Sequence, residues 1–243
     1  MLNIIHLKET SSTNLYLQDL LKKEKLPEGS VVVAEYQTAG KGQAGNSWES
    51  AQRKNLLCSM VLYPDFVDIE NQFIVSEVAS LAIVDLLSNF TADVRIKWPN
   101  DIYVSEKKIA GMLIENNICG NVIESSIVGM GININQDFFE SNAPNPVSLK
   151  QLTGEEHDLN LLLKTLVENV SKRYVQLMEK GKAAIHLDYF NYLFRRDGYH
   201  FYKLGNENFK AKIKAIKSSG HLVLETDQGK ERIFAFKEVE FVL

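Results

Sequence analysis

Four stretches of the chain concentrate residue types that can hold charge or approach a ligand closely. In residues 39–48, Gly40, Gly42 and Gly45 punctuate a polar run, and glycines let backbone N–H groups come near an anion, as phosphate-cradling nests do. No lysine-Ser/Thr pair closes this run, so it is either an anion loop outside the Walker pattern or a glycine loop with no ligand. Trp48 ends it; an indole in a polar loop either covers a ligand or packs the loop down. Further on, Lys97, Asn100 and Asp101 precede Lys107 and Lys108 within one strand, turn and strand. Lys97 stands between Ile96 and Trp98 on a strand face, where an ammonium needs a carboxylate or a phosphate as partner, whereas Lys107 and Lys108 also read as a solvated hairpin end. Gly129 and Gly131 alternate in an apolar run, which marks a close approach by ligand or backbone or else a bulge, and Asn133 and Asn135 follow on the same face. Ser12, Thr13 and Asn14 open a helix, either as a plain cap or as polar groups turned to a ligand.

The elements that must position these residues follow from periodicity. A helix runs from the hydroxyls to about Lys23, stopped by Pro27 and Gly29. The segments SVVVAEYQ and NLLCSMVLY read as buried strands joined by a long exposed loop, the kind that is functional or disordered. Residues 69–90 are apolar nearly all round and form a helix buried on a sheet. VRIKWP, the run from Lys108 to Ile114, and SSIVGMGINI are further strands. Asp158 caps a helix with the stripe Leu163, Leu166, Val170, Tyr174 and Leu177, and another covers roughly 183–194. After Asp197 and Gly198 short alternating segments separated by glycine turns make a small all-β unit. The expected architecture is α+β, a mixed sheet flanked by helices over 1–194 and a small β unit over 195–243.

Composition bounds the function. The chain has 243 residues, a formal net charge of −4 and 45% hydrophobic residues, so it has no general basic field for nucleic acid and no apolar run long enough for a membrane helix. The N-terminus lacks the pattern of a signal peptide, and the cytoplasm is the expected location. Cys58 reads as core and Cys119 as a surface thiol, with no metal-ligand spacing at either.

Taken in order, SSTN, EYQTAGKGQAGNSW, KWPNDIYVSEKKIAG and GMGININ resemble the biotin protein ligases, with KWPND the sharpest match. The resemblance implies a sheet related to that of class II aminoacyl-tRNA synthetases and a C-terminal SH3-like β-barrel. It implies that Ser12, Thr13 and Gln37 bind the ureido ring of biotin, that Gly111, Leu113 and Gly129 line its apolar body, and that Gly40, Lys41 and Gln43 belong to the same site. Gly42, Gly45, Asn46, Trp48, Asn100 and Asn133 would contact ATP or the adenylate. Lys108 would be the catalytic lysine, Lys97 would neutralise phosphates, and Asp101 is the carboxylate nearest to a Mg2+ ion. The implied reaction joins biotin and ATP to biotinyl-AMP and passes biotin to a lysine of a biotin carboxyl carrier domain, without nucleic acid or membrane; a homodimer is left open. With only ten residues before Ser11 the expectation is a ligase without a DNA-binding domain. The chain departs from the family in the glycine loop, where Lys41, Gln43 and Asn46 stand in place of arginines. The alternatives are a lipoate ligase or lipoyl transferase, which needs a long apolar tunnel, and a non-catalytic ligand-binding homologue.

Overall fold

The computed structural model describes residues 3–140 and 145–242. Seven strands form a mixed sheet: β1 (Ile4–Leu7), β2 (Val31–Ala34), β3 (Leu56–Leu62), β4 (Val94–Lys97), β5 (Asp101–Val104), β6 (Lys107–Cys119) and β7 (Val122–Ile132), in the order β1-β2-β3-β7-β6-β5-β4. Only β1 and β2 are parallel, and the helix α1 (Thr13–Leu21) is their crossover. Alternation along the strands separates two faces. Val32, Val61 and Ile127 pack with Leu17 of α1 in a small apolar cluster, while Val31, Met60 and Val128 point the other way into the main core.

That second face carries the helix α2 (Ile74–Leu87), in which every residue but Asp85 is buried. Burial on all sides explains its lack of a polar face, since α4 (Leu159–Lys180) and α5 (Lys182–Asn191) cover it from outside. Asp85 is satisfied by Arg173 of α4 through two hydrogen bonds of 2.6 and 2.7 Å. The expected stripe of α4 is buried throughout, and Asp158 caps the helix, accepting from the N–H groups of Asn160 and Leu161. A short helix, α3 (Leu149–Thr153), starts at Ser148 with a reciprocal capping box to Gln151.

The segment after Pro99, expected only to join VRIKWP to the run from Lys108 to Ile114, holds a strand of its own, β5, paired antiparallel with β4. After α5 the chain is pinned to the free edge of β4, with the N–H of Phe194 donating to Ile96 O at 2.8 Å. The expected small all-β unit is a five-stranded antiparallel sheet, β8 (His200–Leu204), β9 (Glu207–Ile216), β10 (Leu222–Thr226), β11 (Glu231–Phe234) and β12 (Glu240–Phe241), in the order β11-β10-β9-β8-β12. Its apolar residues Tyr202, Ile213 and Leu224 belong to the same contiguous core as α2. Trp98 fastens it to the large sheet, its indole donating to Gly220 O at 2.8 Å and meeting the Phe236 ring edge-on.

Candidate active site

Strand register brings the separated sequence motifs into line. Lys97 pairs with Asp101, Asp101 with Gly111, and Gly111 with Gly131, so these four residues form one row across the sheet on the α1 face. The parallel row Leu113, Gly129, Ser59 lies two residues along. Lys108 would face away from this surface in a regular strand, being an odd number of residues from Gly111. A bulge on β6 corrects this. Ile102 pairs with Ala110 but Tyr103 pairs with Lys108, and the extra residue turns Lys108 to the side of Asp101 while Ile109 stays in the core.

Above the rows lies a cavity of about 520 Å³. The loop before it is a built hairpin. The Gly42 N–H donates to Asn46 O at 2.7 Å and the Trp48 N–H to Gly40 O at 2.9 Å, and any Cβ on Gly40 would stand 2.6 Å from the Trp48 carbonyl. The hairpin lays the Trp48 indole on the glycine floor, where a Cβ at Gly131 would come within 2.5 Å of the ring and one at Gly111 within 2.9 Å. Among the described residues the buried Trp48 Nε1 and the buried Gln43 Oε1 have no hydrogen-bond partner, an arrangement that leaves both for a ligand.

One end of the cavity is neutral. Ser12, Thr13 and Asn14 are buried, and Ser12 stands at the N-cap of α1 with no hydrogen bond from its side chain to the helix among the described residues. Gln37 Oε1 accepts from the Thr13 N–H at 2.7 Å and lies 3.1 Å from the Thr13 hydroxyl. Ser59 Oγ is 2.7 Å from Thr13 Oγ1 and 2.6 Å from Asn14 Oδ1. Asn14 Nδ2 donates to Leu113 O at 3.2 Å and to Glu115 Oε2 at 2.7 Å. The close approach anticipated at Gly129 is by this asparagine, since a Cβ there would stand 2.2 Å from Asn14 Oδ1.

The other end is charged. Lys108 pairs with Asp101 at 2.7 Å, both about four-fifths buried, and its ammonium lies 5.6 Å from the Trp48 ring. Lys97 donates to Tyr103 Oη at 3.2 Å and sits over the rings of Tyr103 and Phe241. Burial holds the Lys97 ammonium below the ordinary lysine value; Asp101 pulls it back up, while Lys108 and Arg195 push it down further. Asn100 is tied to the sheet by a 2.6 Å hydrogen bond to Met112 O. With Lys41 and Lys237, four lysines face two carboxylates, Asp101 and Glu240, along the wall. Among the described residues no group of three His, Cys, Asp or Glu is placed to hold a metal ion.

The cavity is therefore lined by Ser12, Thr13, Gln37, Lys41, Gly42, Gln43, Asn46, Trp48, Lys97, Asn100, Asp101, Lys108, Gly111, Leu113 and Gly129, as the sequence motifs suggested. Gly40 and Gly45 shape the hairpin behind the wall. Asn133 is a correction: β7 ends at Ile132, the alternation with Gly129 and Gly131 stops there, and the Asn133 amide is buried as a tether to Val147 O. Asn135 likewise holds His157. Asn14, named in the sequence only with the helix start, is also a wall residue, and sequence reasoning missed the whole contribution of the C-terminal sheet, namely Phe236, Lys237, Val239, Glu240 and Phe241. Asn14 had a signal, adjacency to Thr13 on the first helical turn; the second group had none, because the contact joins residues more than a hundred positions apart.

The cavity thus has a neutral hydrogen-bonding end and a cationic end on one sheet face, the layout of a site for a small molecule with a polar head beside an anion. Residues 7–133 match the model of the biotin/lipoate A/B protein ligase family. The bifunctional ligase/repressor BirA of Bacillus subtilis is 31% identical over 219 residues, covering 88% of this chain and 67% of that protein. The biotin--[acetyl-CoA-carboxylase] ligase of Paracoccus denitrificans is 29% identical over 235 residues, covering 93% of this chain and 96% of that one. A biotin protein ligase from Aquifex aeolicus in complex with biotin and ATP superposes with a TM-score of 0.80 at 27% identity, over 99% of both chains. The chain belongs to the biotin/lipoate A/B protein ligase family.

Proposed function

We propose that this chain is a biotin protein ligase, which joins biotin to ATP as biotinyl-5'-AMP and transfers biotin to a lysine of a biotin carboxyl carrier domain in the cytoplasm. The observation that carries this reading is the placement of Thr13 and Gln37 at one end of the cavity and Lys97 and Lys108 at the other, with the Gly111 and Gly131 floor between. The ureido ring sits against Ser12, Thr13 and Gln37, its apolar body against Leu113 and Gly129, and its carboxylate reaches Lys108. A carboxylate oxygen attacks the α-phosphorus of ATP and pyrophosphate leaves. Lys108 and Lys97 neutralise the charge that builds there, an effect commonly worth ~3–4 kcal/mol for one well-placed donor. Asp101 would be the carboxylate beside a magnesium ion carried by the ATP phosphates, which would supply further charge neutralisation. In the second step the carrier amine attacks the acyl carbon, AMP leaves, and the gain comes from holding amine and adenylate together. The C-terminal unit, with its boundary near residue 195, would clamp the nucleotide end, a reading supported by Lys237 and Phe241 in the cavity wall.

The neutral head end supports biotin over lipoate, which offers no urea to Thr13 and Gln37. Mass spectrometry of the products formed from ATP, magnesium and either acid tests the reading. Biotinyl-AMP formed with biotin alone is the expected result; lipoyl-AMP in its place, or no adenylate from either, would overturn it.

A further inference from the structure

The hydrogen bonds behind the neutral end can have only one direction. Asn14 touches Glu115 Oε2 and Leu113 O, both acceptors only, so the atom facing them must be the amide nitrogen and Asn14 Oδ1 must be an acceptor. The 2.6 Å contact between that oxygen and Ser59 Oγ then needs a hydrogen that only Ser59 can supply. A serine has one. The 2.7 Å contact between Ser59 and Thr13 therefore takes its hydrogen from Thr13, in preference to the longer 3.1 Å approach of Thr13 to Gln37 Oε1. Gln37 Oε1 is already occupied by the Thr13 backbone N–H, which fixes its amide and leaves Nε2 as the donor toward Gly40 and the cavity.

We propose that Glu115, which is outside the cavity wall, sets the polarity of the head-binding end together with the Leu113 carbonyl: through Asn14 and Ser59 they commit the Thr13 hydroxyl hydrogen inward, so that Thr13 meets a ligand as an acceptor and Gln37 as a donor. Such a wall selects a ligand head that offers an N–H beside a C=O, as one edge of a cyclic urea does, and rejects a head that places a second acceptor at Thr13. Ser59 is fully buried and Glu115 half-buried; neither lines the cavity, so both are positioning residues. Asn14 also cannot flip, since that would set its oxygen against the Glu115 carboxylate, and a buried polar pair left unbonded is costly. The inference rests on the functional reading above.

Titration calorimetry with biotin and with its two cyclic carbamate analogues, each replacing one ring N–H by oxygen, tests it. The analogue that loses more in the wild type reports on Thr13. The wild type is expected to prefer biotin over it by about tenfold or more, as befits one hydrogen bond and one repulsive contact. In Ser59→Ala the Thr13 hydrogen is released, biotin binds about tenfold more weakly, and the preference collapses toward parity, because Thr13 now donates to the ring oxygen. Glu115→Gln, whose amide can present either atom to Asn14, narrows the preference by a smaller factor and leaves the KM for ATP unchanged in both variants' assays. A Ser59→Ala protein that binds biotin weakly but keeps the wild-type preference, or two variants indistinguishable from wild type, would overturn the proposal. Failure of the wild type to bind biotin at all would instead sink the functional reading on which it stands.

Discussion

The two ends of the cavity are built on opposite terms. At the head end the polar contacts are made within the protein and join neutral groups up to the Glu115 carboxylate behind the wall: Thr13 to Gln37 and Ser59, Ser59 to Asn14, Asn14 to Glu115. At the reactive end the charges satisfy one another instead. Lys108 leans on Asp101, Lys97 on the Tyr103 phenol and the Phe241 ring, and the indole N–H of Trp48 has no partner among the described residues. On the proposed reading recognition is set before a ligand arrives, whereas catalysis would require an ammonium to leave its carboxylate for a phosphate. The difference teaches where binding energy is spent: rigid neutral hydrogen bonds hold the head with little reorganisation, and the exchange of ion-pair partners happens only when the polyanion is in place.

The largest way to break this contrast is Lys108→Ala. Adenylate formation, followed by pyrophosphate release, should fall by about 10²-fold or more, while biotin affinity without ATP changes far less. Thr13→Val should do the reverse. It keeps the side-chain volume near constant, removes the hydroxyl from the head end, and should raise the KM for biotin by about tenfold with the KM for ATP unmoved in steady-state kinetics. Gly131→Ala places a methyl group where Trp48 rests; lifting the indole should cost ~1 kcal/mol, seen as a severalfold higher KM for ATP and a red-shifted indole emission. The smallest effect concerns pH. Burial lowers the Lys97 pKa, so its charge, and the activity that depends on it, is lost as pH rises through that lowered value, below the ordinary lysine range. Stability moves the other way: between the folded and unfolded pKa values the unfolded chain binds more protons, so folding gains as pH rises. Lys97→Arg, which keeps its charge, should remove the alkaline limb of the rate profile, and a pH series of initial rates and melting temperatures checks both signs.

Much of the fold was legible because its signals are local. Thr13 to Leu21, the apolar run of α2 and the stripe of α4 follow from helical spacing, and the strands from β-branched runs. Lys97 could be assigned to a strand face because a strand alternates, whereas Asp101 joins it there through its pairing across the turn between β4 and β5. Lys108 could not, since its facing depends on a bulge set by pairing with β5, and residue spacing alone points it the wrong way. Asn133 failed for the complementary reason, a strand that ends one residue too soon. Ser59 and Glu115 look like ordinary strand positions until register brings them beside Asn14, and Lys237 and Phe241 reach the site only through the docking of the second sheet by Trp98. Among the described residues no helix is long and apolar enough to cross a membrane.

The most direct test of the account is a pair of crystal structures, one with biotin alone and one with biotin and a non-hydrolysable ATP analogue. The account predicts that the Thr13, Gln37, Ser59 and Asn14 contacts are the same in both, and that Lys108 exchanges Asp101 for the α-phosphate only in the second. A Lys108 that keeps Asp101 with nucleotide bound, or a head-end network rebuilt by biotin, would contradict it.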